Sequence, residues 1–364
     1  MIVPSIDLMA GRAVQLRRGS EKVLESPEDP LELARRFAFH GEVAVVDLDA
    51  ALGRGDNRDL VRRLCGEVPC RAGGGVREER DVVALIKAGA RRVMIGTAAT
   101  PEFLKRFPRD WIQVALDARD GRTVDQGWRR DTGESYLDRA RRLEPFCSGF
   151  LFTQVEVEGT LEGVPLDPVR ALRAATGLPL TVAGGVATLD DVRALEDLGA
   201  DVQVGMALYT GRIDLDSALL ARPDFGRGPL PTVVQEEDGR VLMLAWSSAA
   251  SLGEALRQRR GIYWSRSRQA LWRKGDTSGH VQVLTRARYD CDADALLFTV
   301  RQEGPACHSG RDACFGDAPR FDFAALRRVL GTRRGADPAR SFTARLLGNR
   351  ELVRAKIREE AGEV

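Results

Sequence analysis

An internal repeat in the first 220 or so residues limits the possible folds more than any other feature of the chain. The pair Ile6-Asp7 with Gly11 recurs 110 positions later as Leu116-Asp117 with Gly121. Residues 72–76, AGGGV, recur as residues 182–186, VAGGV. Each half alternates short β-branched runs with amphipathic stretches, which indicates a duplicated β/α design.

Eight short apolar runs in this part are predicted to be strands. They end near Asp7, Asp47, Ala72, Gly96, Asp117, Thr153, Ala183 and Gly205. Eight strands with intervening helices are typical of a (β/α)8 barrel. A doubly wound open sheet is the alternative, but it does not predict four strands that repeat as four. We therefore expect an α/β fold whose first domain, residues 1–222, is a barrel.

The pattern changes after the barrel. Residues 223–229 contain two prolines and two glycines without periodicity, which predicts a linker. Residues 230–318 show five strand-like stretches and one helical stretch, which predicts a small antiparallel α+β module. Residues 319–364 are helical and highly charged, and are predicted to form a short tail.

Composition excludes some classes of function. The chain has 55 basic and 53 acidic residues without a basic stripe, so we expect no binding of nucleic acid. No apolar run reaches the ~18 residues of a spanning helix, so we expect no membrane partner and a cytoplasmic location. Cys65, Cys70 and Cys147 stand singly in apolar surroundings and are interpreted as buried core thiols.

Two aspartates and several glycines fall where a barrel places its active site. Asp7 and Asp117 end strands one and five, on opposite sides of the mouth, where two carboxyl groups can divide acid and base work. Loops with exposed backbone N–H groups bind phosphate. Such loops follow strands three, four, seven and eight, at Gly74, Gly75, Gly96, Thr97, Gly184, Gly185, Gly205 and Met206. Two sets predict a substrate with two phosphates.

A second group of ligands is crowded into residues 290–314. Three thiols, Cys291, Cys307 and Cys314, suit zinc and leave a fourth coordination position open, as in catalytic sites. Asp290, Asp292 and Asp294 alternate, so on a strand they would project from one face toward a hard cation such as Mg²⁺. The run predicts two adjacent metal sites in a hydrolase.

Residues 1–222 resemble a histidine-biosynthesis isomerase, which converts the aminoaldose of phosphoribosyl-formimino-aminoimidazole-carboxamide ribotide to the aminoketose. Matching motifs are PSIDL at 4–8, VVDLD at 45–49, AGGGVR at 72–77, LDARDG at 116–121, GW at 127–128 and EGTL at 158–161. The resemblance implies Asp7 as base, Asp117 as acid, Thr153 as an assistant, Trp128 as a cover and Arg77 among the substrate ligands. The family usually has Asp where Glu158 stands and often His where Ala44 stands.

Alternatives remain for the barrel. A dual-substrate isomerase that also serves tryptophan synthesis, acting on phosphoribosylanthranilate, shares the motifs. The cyclase subunit of imidazole glycerol phosphate synthase shares the twin aspartates, but usually has Cys where Ser5 stands and lacks the Gly127-Trp128 context. A scaffold that binds bisphosphorylated metabolites without turnover would need neither Asp7 nor Asp117.

Residues 229–316 resemble phosphoribosyl-AMP cyclohydrolase. Matching motifs are WSRSR at 264–268, LWRKG at 271–275, TSGH at 277–280, DCDAD at 290–294 and GPACH at 304–308. The resemblance implies a homodimer with its site at the interface, Zn²⁺ that activates water for attack on C6 of the adenine ring, and Mg²⁺. It also implies His308 as proton carrier and phosphate binding by Arg266, Lys274, Thr277 and Ser278. The product would be the substrate of the barrel.

The tail resembles the opening of phosphoribosyl-ATP pyrophosphohydrolase, with Glu359, Glu360 and Glu363 as its first acidic motif. That family needs a further helix with more carboxylates, which is absent from this sequence. We therefore expect no pyrophosphohydrolase activity from residues 319–364. A charged helical tail without this role is the alternative.

Overall fold

The computed structural model describes residues 1–316 and 323–362. The first half of the repeat region contains β1 (Ile2–Met9), β2 (Arg12–Arg17), β3 (Glu21–Glu25), α1 (Pro30–Ala38), β4 (Val43–Asp47), α2 (Leu48–Leu52), α3 (Arg58–Glu67), β5 (Cys70–Gly73), α4 (Glu79–Ala88), β6 (Arg92–Ile95) and α5 (Pro101–Leu104). The second half contains β7 (Ile112–Arg119), β8 (Arg122–Asp125), β9 (Arg130–Ser135), α6 (Tyr136–Leu143), β10 (Phe150–Gln154), α7 (Leu166–Ala175), β11 (Leu180–Ala183), α8 (Leu189–Asp197), β12 (Ala200–Val204), α9 (Met206–Tyr209) and α10 (Leu215–Ala221).

Eight of these strands pair in parallel and close on themselves. Their order is β1, β4, β5, β6, β7, β10, β11 and β12, and β12 returns to β1 with Val202 opposite Ile2. The predicted (β/α)8 barrel is therefore confirmed. The open doubly wound sheet is wrong, because its two edge strands would not pair.

The repeat is visible in the local structure as well as in the strand count. Each aspartate-bearing strand leads into an antiparallel hairpin, β2–β3 after β1 and β8–β9 after β7. Each hairpin is followed by a helix with a capped N-terminus: the side chain of Asp29 caps α1, and that of Ser135 caps α6. The two hairpins therefore rise beside the same mouth, at the carboxyl ends of the strands.

The module after the barrel is α+β, but its sheet is mixed. It contains β13 (Leu230–Glu236), β14 (Val241–Ser247), α11 (Ala249–Gln258), β15 (Ile262–Ser265), β16 (Ala270–Arg273), β17 (Gln282–Tyr289) and β18 (Leu296–Gln302). The order of the main sheet is β14, β13, β18, β17, and β13 pairs with β18 in parallel. The prediction of a purely antiparallel module was wrong, because β18 inserts beside the first strand of the module. The hairpin of β15 with β16 was also missed in part, since β16 was not predicted.

The module packs on the barrel at the end where the parallel strands begin. Phe39 and Leu219 of the barrel lie in one apolar cluster with the core of the module. Arg259 makes two hydrogen bonds to Asp216, at 2.9 and 3.1 Å, and its guanidinium lies 3.7 Å from the centre of the Phe39 ring. The hydroxyl of Tyr289 donates to Glu196 Oε1 at 2.5 Å. The barrel mouth at the opposite end is therefore left uncovered by these contacts.

The tail is helical in its described residues, as predicted: α12 (Phe323–Arg334), α13 (Phe342–Leu347) and α14 (Arg350–Gly362). Glu359 and Glu360 lie on α14, and both pair with Lys356. Glu363, the third residue of the acidic motif, lies outside the described residues. Among the described helices, none is long and apolar enough to cross a membrane.

Candidate active site

The barrel holds a cavity of about 220 Å³ at the carboxyl ends of its strands. Asp7 and Asp117 both line it, and Thr153 lies between them at the end of β10. Six more of the predicted site residues line the same space: Gly74, Gly75, Arg77, Gly96, Thr97 and Trp128. A smaller cavity of about 40 Å³ adjoins it and is lined by Asp7 together with Gly184, Gly185, Gly205 and Met206. One chain thus brings all the predicted barrel residues together.

Glycine is required at the two repeat-related loops by close backbone contacts. Gly74 has a φ of +93°, and a Cβ there would lie 2.2 Å from the carbonyl oxygen of Asp47. Gly184 has a φ of +95°, and its Cβ would lie 2.9 Å from the carbonyl oxygen of Gln154. Both loops therefore lie in close contact with the end of the neighbouring strand. Their backbone atoms face the cavities without a side chain in between.

The two aspartates are desolvated, and their surroundings differ. Burial raises the pKa of Asp7 to about 6, against the effect of the Ser5 hydroxyl, which donates to Asp7 Oδ1 at 2.9 Å. Burial also raises the pKa of Asp117, and hydrogen bonds from Trp128 and Thr153 oppose this shift. Near neutral pH Asp7 can therefore both hold and release a proton, as acid–base catalysis requires.

Glu158 is a third carboxyl group of the site, and sequence reasoning did not select it. It lines both cavities. Burial raises its pKa to about 8, and the charges of Asp7 and Asp117 add to the shift. Glu158 therefore carries a proton near neutral pH, while Asp7 titrates below it. The available signal was its position: Asp7 and Asp117 lie near the carboxyl ends of barrel strands, and Glu158 follows four residues after the end of the strand β10.

Trp128 is held by a strained loop at the side of the cavity. Gln126, Gly127 and Trp128 all have φ between 54° and 69°, in the left-handed region. The indole ring packs so closely on Gly19, in the hairpin of β2 and β3, that a Cβ at Gly19 would lie 2.3 Å from it. The hairpin after β1 and the loop after β8 thus meet over the site, and this contact requires the bare backbone of Gly19.

The cysteines of the module are only partly gathered. Cys307 and Cys314 are in hydrogen-bond contact, and the Ser309 hydroxyl donates to Cys307 Sγ at 3.1 Å. The Ser309 hydrogen bonds lower the pKa of Cys307, which favours the thiolate that binds metal. Cys291 is exposed and does not complete a three-ligand group with them. One copy of the chain therefore presents two thiol ligands at one place and the third at another.

The three aspartates converge, but not on a strand. Residues 290–295 form the loop between β17 and β18, where Ala293 has a φ of 61°. The prediction of strand geometry was wrong, because the chain reverses direction here and Asp290 Oδ1 accepts from the backbone N–H groups of Asp294 and Ala295, both at 3.1 Å. Among the described residues, the one group of three potential metal ligands with atoms within 4.8 Å is Asp290, Asp292 and Asp294.

The electrostatics of this loop fit a hard cation. The negative charges of Asp292 and Asp290 raise the pKa of Asp294, because three carboxylates repel one another at this separation. A divalent ion with oxygen ligands would relieve that repulsion. The exposed loop and the thiol pair are therefore chemically suited to different ions, magnesium and zinc.

The remaining predicted residues of the module divide between surface and interior. His308 is exposed, with Nδ1 3.9 Å from Cys307 Sγ. Thr277 and Ser278 are exposed, and Arg266 lies over the Trp246 ring at 4.2 Å. Lys274 is only 7% exposed and donates to the carbonyl oxygen of His280 at 3.3 Å. Its burial lowers its pKa, while Cys314 and Cys307 raise it, so this ammonium lies near the thiols.

Comparison with known proteins gives two matches that fall on the two parts of the chain. Residues 1–214 match the family described as histidine biosynthesis protein, and residues 243–316 match that described as phosphoribosyl-AMP cyclohydrolase. The chain is 37% identical over 232 residues to the 1-(5-phosphoribosyl)-5-((5-phosphoribosylamino)methylideneamino) imidazole-4-carboxamide isomerase of Methanocaldococcus jannaschii, with 60% of this chain and 98% of that protein aligned.

Isomerases of the same description from two other organisms show similar likeness. The Haloarcula marismortui protein is 40% identical over 232 residues, covering 60% of this chain and 94% of its own length. The Gemmatimonas aurantiaca protein is 39% identical over 225 residues, covering 58% of this chain and 94% of its own length. The likeness to these isomerases thus spans nearly their whole length.

Proposed function

Because the chain belongs to the histidine biosynthesis protein family and joins an isomerase barrel to a cyclohydrolase module, we propose that it performs two consecutive steps of histidine biosynthesis. The module opens the adenine ring of phosphoribosyl-AMP by hydrolysis. The barrel then converts the resulting bisphosphorylated aminoaldose to the aminoketose by an Amadori rearrangement. We place the domain boundaries at residues 1–222 and 230–318.

The barrel reaction is supported above all by two carboxyl groups that face one cavity between two sets of glycine loops. In our proposal an acid protonates the furanose ring oxygen as the C1–O bond breaks, which gives an open-chain iminium ion. Asp7 removes the C2 proton, and the electron pair moves into the C1–C2 bond to give an enolamine. Tautomerisation yields the ketose and returns the proton. Thr153, which donates to Asp117, keeps that carboxyl in place.

Two residues compete for the role of acid. Asp117 has the role by resemblance, and its raised pKa supports proton transfer. Glu158 is mostly in its acid form near neutral pH, because its pKa is about 8. A general acid must hold its proton at the working pH before it can donate it. We therefore extend the acid function to Glu158 as a second candidate.

The two ends of the substrate are assigned to the two glycine sets. Gly74, Gly75, Gly96 and Thr97 would hold one phosphate, with Arg77 nearby, and Gly184, Gly185, Gly205 and Met206 the other. This arrangement follows the repeat, which places the sets on opposite sides of the barrel axis. Trp128 would cover the substrate between them.

The hydrolytic site is proposed to form between two copies of the chain. Cys307 and Cys314 of one copy and Cys291 of another would hold Zn²⁺, since one copy separates these thiols. Asp290, Asp292 and Asp294 would hold Mg²⁺. When bound, zinc supplies polarisation of a water molecule for attack on the ring. His308, exposed beside Cys307, would carry the proton of that water to the ring nitrogen, and Arg266, Thr277 and Ser278 would bind the phosphate.

Exposed apolar side chains of the module support a homodimer. Phe315 is 71% exposed beside Cys314, and Leu244 is 52% exposed on the edge strand β14. Cys314 N donates to the carbonyl oxygen of Leu242 on the same strand, so the thiol pair adjoins this face. A second copy that covered this face would bury the apolar groups and could bring its own ligands to the thiol pair.

One two-step assay tests the proposal. Purified protein with Zn²⁺ and Mg²⁺ is given phosphoribosyl-AMP, and products are separated and identified by mass and by absorbance. We expect ring opening followed by appearance of the aminoketose. Accumulation of the aminoaldose would contradict the barrel assignment, and an unchanged adenine ring would contradict the module assignment. Phosphoribosylanthranilate, offered separately, tests the dual-substrate alternative.

A further inference from the structure

A buried arginine stands behind one of the two phosphate loops of the barrel. Arg139 lies on the inner face of α6 and is only 9% exposed. Its Nη2 atom donates to two backbone carbonyl oxygens, of Gly96 at 3.2 Å and of Ala99 at 3.3 Å. A single guanidinium nitrogen thus ties together both ends of the short loop that follows β6.

The loop needs this donor because it does not continue directly into a helix. Its own backbone supplies two bonds, from Ala99 N to the Gly96 carbonyl oxygen at 3.0 Å and from Thr100 N to the Ala98 carbonyl oxygen at 2.9 Å, but α5 begins only at residue 101. Ala99 is fully buried, so its carbonyl oxygen requires a partner from the protein. Arg139 satisfies it, and an arginine buried for this purpose fixes the orientation of the peptide groups it contacts.

That orientation bears on the cavity. In a trans peptide unit the C=O and N–H bonds point in opposite directions. The carbonyl of Gly96 points toward Arg139, so the N–H of Thr97 in the same peptide unit points away from it. Gly96 and Thr97 line the cavity that also holds Asp117. The arginine therefore directs one backbone N–H group of the loop toward the place where a phosphate would bind.

The repeat provides an internal comparison. Arg139 is the fourth residue after the cap of α6, Ser135, and the corresponding residue after the cap of α1, Asp29, is Leu33. Leu33 is 1% exposed and packs in an apolar cluster. In that half the carbonyl oxygen of Gly205 accepts from Leu208 N at 2.8 Å and from Tyr209 N at 3.4 Å, because α9 starts immediately. The carbonyl oxygen of Gly96 has Ala99 N as its backbone donor and Arg139 as its second donor. The two phosphate loops are therefore built differently, one by a helix and one by an arginine.

We propose that Arg139 is a positioning residue for phosphate binding at residues 96–99, and that the two phosphate sites of the barrel are for this reason unequal. The inference rests on the proposed function, since it takes a bisphosphorylated substrate as given. Besides fixing the loop, the buried guanidinium adds positive charge behind the site that receives the anion. Arg139 does not touch the substrate itself.

The test compares two leucine variants on one helix. Arg139→Leu places in α6 the residue that α1 carries at Leu33. Arg142→Leu is the matched control, because Arg142 pairs with the same Glu134 at 2.8 Å but contacts no part of the loop in these hydrogen bonds. Isomerisation of the purified aminoaldose is measured by kcat and KM, with inorganic phosphate as a competitive inhibitor, and thermal unfolding is followed for each protein.

We expect Arg139→Leu to raise KM and the inhibition constant of phosphate by roughly 10-fold or more, as the loss of charge-assisted hydrogen bonds predicts, with kcat changed less than about 3-fold. Arg142→Leu should leave both constants near the wild-type values. Arg139→Lys, which retains the cation, should give intermediate values. If Arg139→Leu does not fold, Arg139→Lys must still exceed the control in KM.

Equal KM values for Arg139→Leu and Arg142→Leu would overturn the inference, and so would a loss confined to kcat, since that would place the effect at Asp117. A wild-type protein without isomerase activity would contradict the proposed function instead. The two failures are therefore distinguishable.

Discussion

The barrel and the module build their sites in opposite ways. Nine predicted residues line the larger barrel cavity within a single chain, and the smaller cavity adjoins it. In the module the thiol ligands are divided, with Cys307 beside Cys314 and Cys291 elsewhere on the surface. A closed sheet gathers every strand end at one mouth, so chain topology alone completes the site. An open sheet leaves its loops apart, and in our proposal association with another copy completes the hydrolytic site.

The two sites also control charge differently. In the barrel, burial raises the pKa of Asp7 to about 6 and that of Glu158 to about 8. In the module, the carboxyls of the aspartate loop are exposed, and the charges of Asp292 and Asp290 raise the pKa of Asp294 by repulsion. The barrel can therefore set protonation by burying its carboxyl groups, whereas in our proposal the module balances the charge of its carboxylates with a bound cation.

If the two sites are independent, one substitution in each should separate the activities completely. We expect Asp7→Asn to lower isomerisation by about 10³-fold or more, because the amide cannot accept the C2 proton, and to leave hydrolysis unchanged. Cys307→Ala should abolish hydrolysis and leave isomerisation unchanged. Each reaction is measured separately with its own purified substrate. Joint loss from either substitution, in a protein that unfolds at the wild-type temperature, would contradict independence.

The role of desolvation in the barrel is tested by the pH profile of isomerisation. The catalytic efficiency should rise with pH as Asp7 loses its proton near pH 6, and should fall near pH 8 as Glu158 loses its own. Glu158→Gln keeps the shape of the side chain but cannot give up a proton. We expect a loss of about 10²-fold and the disappearance of the fall near pH 8.

The control for this measurement is the hydrolysis profile of the same variant, which should not change. If Glu158→Gln keeps the fall at high pH, Glu158 is not the acid and Asp117 retains that role. The contrast between the barrel and the module would then still stand, but isomerisation would depend on two carboxyl groups, Asp7 and Asp117, rather than three.

The repeat explains why so much of the barrel could be predicted from sequence. Asp7 and Asp117 stand at equivalent points of a duplicated pattern, and strands of a closed parallel sheet must end at one mouth. Glu158 was missed as an acid because its proton affinity comes from the surrounding walls and from the charges of Asp7 and Asp117, which no local pattern records. The role of Arg139 behind the loop was hidden for a similar reason, since a basic residue on a charged helix usually faces solvent.

The module was less predictable because its geometry depends on long-range pairing. The alternating aspartates predicted a strand. The structure instead has a turn at Ala293, which results from the antiparallel pairing of β17 with β18 on either side of it. Likewise the parallel pairing of β13 with β18 joins segments about 60 residues apart. Spacing in the sequence indicated the residues that bind metal in our proposal. It did not indicate that, within one copy, Cys291 lies apart from Cys307 and Cys314.

The division of the cysteines can be tested by mixing two inactive variants. Cys291→Ala and Cys307→Ala should each lack hydrolysis, but subunits exchanged at random should form mixed dimers with one intact site. Because a twofold interface creates two sites, roughly a quarter of the wild-type hydrolysis should return. Cys307→Ala mixed with Cys314→Ala is the control and should recover nothing, since both changes lie in the same half-site. Recovery in the control, or none in the test pair, would mean that the thiols are not shared between copies.

The smallest expected effect concerns how strongly the halves depend on each other. Tyr289→Phe removes the hydrogen bond from the module to Glu196, which is buried in the barrel. We expect a loss of about 1–2 kcal/mol of unfolding free energy, in line with a partly buried hydrogen bond to a charged group. Tyr136→Phe is the control, because it removes a hydrogen bond of similar burial within the barrel, to the carbonyl oxygen of Pro168.

Urea unfolding is followed by measuring isomerase and hydrolase activity in parallel. If the interface couples the barrel and the module, Tyr289→Phe should lose both activities at a lower urea concentration than the wild type. A shift of only one activity would show that barrel and module, despite their shared apolar cluster, unfold as separate units.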